Sequence, residues 1–272
     1  MKVLLMIPVN RSYQIMPSLG LGYIASVLRK FGHEVKILHG LKEKLNFKKF
    51  AQYIKGNHFD LIGIQMFTFD ITPVKKYLEI IKQLAPNAIT ILGGPHPSGD
   101  PAGVLHTLPK ADFALTGEVE IAFPLFLEEI IKKNPNFGSV PNLVWRNKAE
   151  VVINPVKIVD NLDEIPFPAW DLMDPRTYPE APHGGFFKSF PTAPIIITRG
   201  CPMRCTFCAG KSITTDKIRA RSIRNVIEEI KLLKNKYGVN DILIEDENFT
   251  LHRKLVYEFC DELLKEKLNI SW

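Results

Sequence analysis

Three of the chain's four cysteines stand in one short run, Cys201-Pro202-Met203-Arg204-Cys205-Thr206-Phe207-Cys208. A secreted disulfide scaffold spreads its cysteines in pairs, so this clustering points to a reducing cytoplasm and a metal site. Thiolates bind soft metals, either zinc or an iron–sulfur cluster. Three ligands in one loop suit a cuboidal cluster, because its irons lie close together. A structural zinc wants a fourth ligand nearby. Cys260 is far along the chain in a predicted helix, and no histidine lies near the loop. Three cysteines leave one iron without a protein ligand. An open position suits a cluster that binds a substrate better than one that only carries electrons. Zinc and fortuitous thiols remain the alternative readings.

A second polar group follows a later predicted strand, as Glu245-Asp246-Glu247-Asn248. Its carboxylates suit a ligand ammonium group. The plainer reading is a solvated acidic turn ahead of the next helix. Arg199, Arg204, Lys211, Arg219, Arg221 and Arg224 give the same region a basic flank. It suits either an anionic ligand or open solvent.

The elements that must position these groups are short strands alternating with helices. Lys2–Ile7, Glu34–Leu38, Leu61–Gln65, Ala88–Leu92 and Asp112–Leu115 read as strands. Ser18–Phe31, Phe47–Lys55, Thr72–Leu84 and Ile121–Lys132 read as helices. Leu19, Ile24, Val27, Leu28 and Phe31 recur at helical spacing, and Pro73 suits a first turn. Five βα units imply a parallel sheet covered on both faces. Ligands of such sheets sit outside the carboxyl ends of the strands. Those ends carry Pro8–Asn10, Met66–Thr68, Gly93–His96 and Thr116–Glu118. Glycines there let backbone approach a flat or bulky ligand, although Gly-Gly after a strand is often only a tight turn. His96 is the one histidine at such an end, and the ordinary reading of a lone histidine there is a hydrogen-bonded loop residue.

Asn142–Ile153 reads as a hairpin around Asn147–Lys148. Between Pro155 and Pro194 lie eight of the 20 prolines. That density excludes regular helix and central strand. Ile165, Phe167, Trp170, Leu172 and Tyr178 are too apolar for a loose tether, so the stretch reads as an ordered, extended linker. A second series then begins with Ile195–Thr198 as a strand. Ser222 caps a helix that runs to Tyr237 and stops at Gly238. Asp241–Ile244 is a strand, Arg253–Lys267 a helix, and Leu268–Trp272 the start of another strand. The expected organisation is a domain over 1–138, a hairpin and Pro-rich linker over 139–193, and a second domain over 194–272.

Composition adds exclusions. Of 272 residues, 46% are hydrophobic and 24% charged, which is ordinary for a folded α/β protein and not for a disordered one. No apolar run approaches the ~20 residues a membrane helix needs. A net charge of +6 permits anionic ligands without arguing for nucleic acid.

The spacing CxxxCxxC, with Phe207 before the last cysteine and a βα series around it, resembles the radical S-adenosylmethionine (SAM) superfamily. The resemblance implies a [4Fe-4S] cluster on Cys201, Cys205 and Cys208, with SAM on the fourth iron. It implies reductive cleavage of SAM to methionine and a 5′-deoxyadenosyl radical. It places Phe207 near the adenine and Glu245 and Asp246 near the SAM amino group, though the glycine pair usual at the latter motif is absent.

The front half resembles the cobalamin-binding domain that precedes many radical SAM enzymes. Gly93-Gly94-Pro95-His96, Gly117-Glu118-Val119-Glu120 and the run from Leu162 to Leu172 (LDEIPFPAWDL) carry that resemblance, which covers nearly the whole chain. It implies cobalamin held near Thr68, Gly93, Gly94, Gly117 and Glu118, with Met66 and Phe67 beside the ring. No Asp-x-His occurs, so the cobalt would have no axial protein histidine. The fold without a corrin is the alternative. Residues 1–200 hold no cysteine, which sets aside the tRNA methylthiotransferases with their second cluster and with them the main reason to expect a nucleic-acid substrate.

The expected architecture is therefore a Rossmann-like doubly wound parallel sheet, a Pro-rich linker and a partial (βα) radical SAM barrel. The resemblance implies an enzyme acting on a small molecule with a flavodoxin- or ferredoxin-type reductant. Cobalamin-dependent methyl transfer to an unactivated carbon is the expected reaction. Radical cyclisation of the porphyrin-cyclase type, or a non-catalytic iron–sulfur and corrinoid module, are the alternatives. The resembling family has more βα units after its cysteine loop, so the chain reads as the front part of a longer enzyme.

Overall fold

The computed structural model describes residues 1–10, 15–180 and 187–272. Pro182 of the expected linker lies outside the described residues. The chain divides into two compact units, Met1–Arg11 with Ile24–Val159, and Ser12–Tyr23 with Asp160–Trp272.

The first unit is built on β1 (Lys2–Ile7), the part of α1 (Leu19–Lys30) from Ile24 on, β2 (Glu34–His39), α2 (Phe47–Gly56), β3 (Leu61–Gln65), α3 (Ile71–Leu84) and β4 (Ile89–Gly93). Short helices α4 (Pro95–Gly99) and α5 (Val104–Thr107) lead to β5 (Phe113–Leu115) and α6 (Ala122–Ile130). β6 (Leu143–Asn147) and β7 (Glu150–Ile153) complete one sheet of order β2-β1-β3-β4-β5-β6-β7. The first five strands in that order are parallel, with Leu4 opposite both Lys36 and Ile62. The chain doubles back between β1 and β3, the switch point where ligands of doubly wound sheets bind.

The hairpin expected beside the linker extends this sheet. Ala114 pairs with Val144 in antiparallel register, and Val144 with Ile153. Lys148 turns the hairpin at a φ of +55°. The sheet is therefore mixed, not wholly parallel. Its pattern is legible locally, whereas its docking on β5 depends on a distant partner.

Strand residues bury on both faces, as parallel strands must. On one face Leu4, Met6, Ile62, Ile64 and Leu92 share a core with Phe50 and Ile54 of α2 and Val74, Tyr77, Leu78 and Ile81 of α3. On the other, an added Cβ at Gly63 would meet Leu5 Cδ2 at 3.0 Å and Phe123 Cζ at 3.8 Å. The bare backbone there lets α6 close over the sheet.

In the second unit β8 (Thr192–Ile195) lies parallel to β11 (Asp241–Ile244), and β9 (Thr198–Arg199) pairs antiparallel with β10 (Arg219–Ala220). α7 (Ile223–Tyr237) starts where Ser222 accepts from Asn225 N and ends at Gly238 with φ +72°. α8 (Arg253–Lys265) follows. The strand expected over Leu268–Trp272 is present only as a parallel bridge from Ser271 to Asp241. Pro194 lies inside β8, at an edge that the exclusion of central strand leaves open. That strand has one strand partner among the described residues, so the missing N–H faces an unpaired edge.

Up to Thr177 the proline-rich stretch runs through short 3₁₀ turns at Leu162–Glu164, Trp170–Leu172 and Pro175–Thr177. The Trp170 Nε1–H donates to Glu229 Oε1 at 2.9 Å. Asp163 accepts from Ser222 N at 2.9 Å at the head of α7. Ala169 N donates to Gly22 O at 3.0 Å, and Pro168 and Met173 crowd the face of Gly22 where a Cβ would stand. No helix among the described residues is long and apolar enough to cross a membrane.

Candidate functional site

At the carboxyl ends of the first sheet three loops are tied together. Met66 N donates to Gly93 O at 2.9 Å, and His96 N donates to Met66 O at 3.1 Å. Gly94 turns between these bonds at φ +94°. A Cβ there would stand 3.1 Å from Gln65 Cγ and 3.2 Å from Met66 N and O. Gly93 has open space at its Cβ position, so its backbone is not pinched. The Ser98 hydroxyl donates to Gly94 O at 2.8 Å and accepts from Gly117 N at 2.9 Å, which joins the loop after β4 to the loop after β5. Gly117 itself takes φ +65°. Asn142 sets the far side: its Nδ2 donates to Thr116 O at 2.9 Å and Glu118 O at 3.0 Å, and its Oδ1 accepts from Lys157 N at 2.8 Å. Glu118 is buried beside it.

The structure brings Thr68 and His96 together, with Oγ1 and Nδ1 3.2 Å apart. His96 is 6% exposed, and its Nε2 is buried without a hydrogen-bond partner among the described residues. An unsatisfied buried nitrogen costs free energy until something polar meets it. Beside it Phe67 and Phe69 stack with centroids 5.3 Å apart, and both remain exposed. Asp70 closes this turn by accepting from Phe67 N at 2.8 Å. Burial pushes its carboxyl up, against the pull of Phe67 and Asn10. An aromatic shelf, a close-approach glycine, a hydroxyl and an unmet ring nitrogen fit the edge of a large amide-bearing ring such as a corrin.

The cysteine loop leaves β9 through Gly200 at φ +96°. A Cβ at Gly200 would overlap the carbonyl oxygen of Lys217, so only glycine fits. Cys201 N donates to Thr215 O at 3.0 Å, Cys208 N donates to Cys205 O at 3.1 Å, and Gly210 N approaches Cys208 Sγ at 3.3 Å. Cys205 and Cys208 are exposed and Cys201 is half-buried. Phe207, at 90% exposure, is open to a ligand. Among the described residues no three His, Cys, Asp or Glu side chains stand close enough to share one metal ion. The donor set fits a cluster with three thiolate ligands, and thiols on one loop draw together as they ligate.

The acidic motif follows β11. Both oxygens of Asp246 are engaged, Oδ1 with Ile197 N at 2.7 Å and Oδ2 with Thr198 N at 2.9 Å and Thr198 Oγ1 at 2.7 Å. Burial pushes the Asp246 carboxyl up, and the neighbouring Glu247 charge adds to this. Glu245 has no side-chain hydrogen bond or ion pair among the described residues. Its carboxylate keeps solvent access, yet surrounding protein desolvates it and raises its pKa. The basic flank divides: Arg204, Lys211 and Arg224 are exposed, whereas Arg199, Arg219 and Arg221 are buried and are not a solvent-facing surface. Arg199 lies over the Tyr23 ring at 5.0 Å. Arg221 pairs with Glu229 at 2.6 Å.

Residues 6–127 match the B12 binding domain, and residues 195–272 match the radical SAM superfamily. The chain thus joins a B12-binding domain to a radical SAM region, and its relatives include a protein named as a cobalamin-dependent radical SAM methyltransferase. It is 31% identical over 279 residues to an uncharacterized methyltransferase of Pyrococcus horikoshii, covering 100% of this chain and 59% of that protein. It is 26% identical over 269 residues to the anaerobic magnesium-protoporphyrin IX monomethyl ester cyclase of Cereibacter sphaeroides, covering 94% and 42% respectively. Its fold matches the radical SAM methyltransferase TsrM of Kitasatospora setae, solved with cobalamin and [4Fe-4S] cluster bound, with a TM-score of 0.78 at 16% identity, covering 98% of this chain and 52% of that one. The chain spans about half the length of the curated relatives it matches.

Proposed function

We propose that this chain holds the cofactors of a cobalamin-dependent radical SAM methyltransferase acting on an unactivated carbon of a small molecule. The observation that carries this reading is the presence of two separate cradles in one chain: the strand-end site around His96 Nε2 and the exposed thiol loop rooted at Gly200. When bound, the cluster supplies reductive cleavage of SAM and cobalamin supplies a transferable methyl group. Cys201, Cys205 and Cys208 hold iron. Phe207 offers the adenine a face, and Glu245 is the acidic side chain with its carboxylate unengaged and so available to the SAM amino group. Thr68, Gly94, His96 and Gly117 would line a bound corrin. A flavodoxin- or ferredoxin-type reductant in the cytoplasm fits a loop whose Cys205 and Cys208 stand exposed.

The alignment with the cyclase over most of this chain favours radical cyclisation as the second reading. The two separate by product. The chain is reconstituted without oxygen, given cobalamin, SAM and a strong reductant, and assayed by mass spectrometry. 5′-Deoxyadenosine together with S-adenosylhomocysteine supports methyl transfer. 5′-Deoxyadenosine without S-adenosylhomocysteine supports the cyclase reading. Neither product from iron-loaded chain overturns both.

A further inference from the structure

Charged side chains hold four backbone groups of the segment between β8 and Cys201. Arg221 Nη1 donates to Ile196 O at 2.9 Å, and the Arg221 backbone N donates to Ile197 O at 2.9 Å. The Asp246 carboxylate accepts from Ile197 N, Thr198 N and the Thr198 hydroxyl. Glu247 Oε2 accepts from Gly200 N at 3.2 Å. Arg221 is itself aimed by Glu229 and by Asn225 Oδ1 at 2.7 Å.

We propose that Asp246 is a positioning residue for the iron-binding loop, acting through Ile197 and Thr198 to fix where β9 ends and Cys201 begins. Ile197 and Thr198 are buried. Turning the carboxylate toward a ligand ammonium would strand two buried backbone N–H groups, and such groups are almost always paired. A carboxylate with both oxygens committed to the protein contributes to SAM binding by placing the cluster, while its neighbour Glu245 is open for direct contact. The role resembles that of residues that orient metal ligands without touching the metal. It rests on the reading of Cys201, Cys205 and Cys208 as the iron ligands.

The test compares Asp246→Asn, Thr198→Val and Thr198→Ser with the parent chain, all reconstituted without oxygen. Iron per chain under chelator challenge, and the EPR spectrum and midpoint potential of the reduced cluster, are measured before any SAM is added. In Asp246→Asn the chelator concentration that strips half the iron falls about tenfold, and the SAM-free spectrum changes. Thr198→Val shifts both in the same direction, and Thr198→Ser, which keeps the hydroxyl, restores them. An Asp246→Asn chain with the parent's iron resistance and SAM-free spectrum, but weaker SAM binding, would make Asp246 a direct SAM contact and overturn the proposal. If Asp246→Asn does not fold, Thr198→Val decides: parent-like iron resistance and spectrum there overturn it as well. Cys205→Ala is the zero-iron reference, and iron surviving in it would overturn the ligand reading separately.

Discussion

Gly94 and Asp70 show how single residues set the strand-end site. At Gly94 the positive φ and the close Met66 backbone leave no room for a branched side chain. Gly94→Val therefore costs about 1–3 kcal/mol of backbone strain and weakens cobalamin retention, with iron content unchanged. Equilibrium dialysis against cobalamin and elemental iron analysis check both halves. Asp70 is nearly fully buried, and desolvation raises its carboxyl above the ordinary 3.8. A raised carboxyl favours folding while protonated, and that contribution is lost as pH rises from below 3.8 through the raised folded value. Asp70→Asn therefore gains stability relative to the parent as pH climbs through that window, a trend that urea midpoints at successive pH values would reveal. Gly94 and Gly117 are legible as strand-end turns because glycine readily takes their positive φ, and the cysteine loop because cysteine is scarce. Ser98 and Asn142 are not, since each works by hydrogen bonds to loops 19 and 26 residues away. The one local hint is Asn142 at φ +61°, a backbone state asparagine tolerates better than most.

At the scale of elements, hydrophobic periodicity and caps locate most strands and helices to within a residue or two. Ser222 and Gly238 bound α7 as their chemistry requires. What periodicity does not carry is partnership. It finds the hairpin but not its docking on β5, and it finds prolines but not the edge position that admits Pro194. The expected strand Ile195–Thr198 is split because Arg221 and Asp246 take the backbone groups between β8 and β9. The linker is fastened within the second unit by a buried network, in which Glu229, at 0% exposure, accepts from Trp170 and pairs with Arg221. Glu229→Ala leaves the Arg221 charge buried and unpaired and destabilises this unit by about 3–5 kcal/mol. Trp170→Ala removes a large buried ring and costs about 3–5 kcal/mol. Both appear as a lowered melting transition of the second unit, and an unchanged melt in either would show that the network contributes little.

Over the whole molecule, the two cradles lie in different units, so each should fail alone. Cys205 is exposed in the second unit, and Cys205→Ala should abolish the visible cluster absorption while the first sheet keeps its fold. The sequence suggests a front domain, a hairpin and linker, and a second domain, whereas the two compact units meet in the chain at Val159 and Asp160, and Ser12–Tyr23 belongs to the second. The substrate is not legible, because neither cradle holds a group that would read one. The most direct measurement is cobalt and iron per chain after anaerobic reconstitution and gel filtration, in the parent, Gly94→Val and Cys205→Ala. Both metals are expected in the parent, iron with depleted cobalt in Gly94→Val, and cobalt with depleted iron in Cys205→Ala. Cobalt that is absent from the parent, or retained equally in Gly94→Val, would contradict the strand-end corrin site. Iron retained in Cys205→Ala would contradict the thiolate cluster.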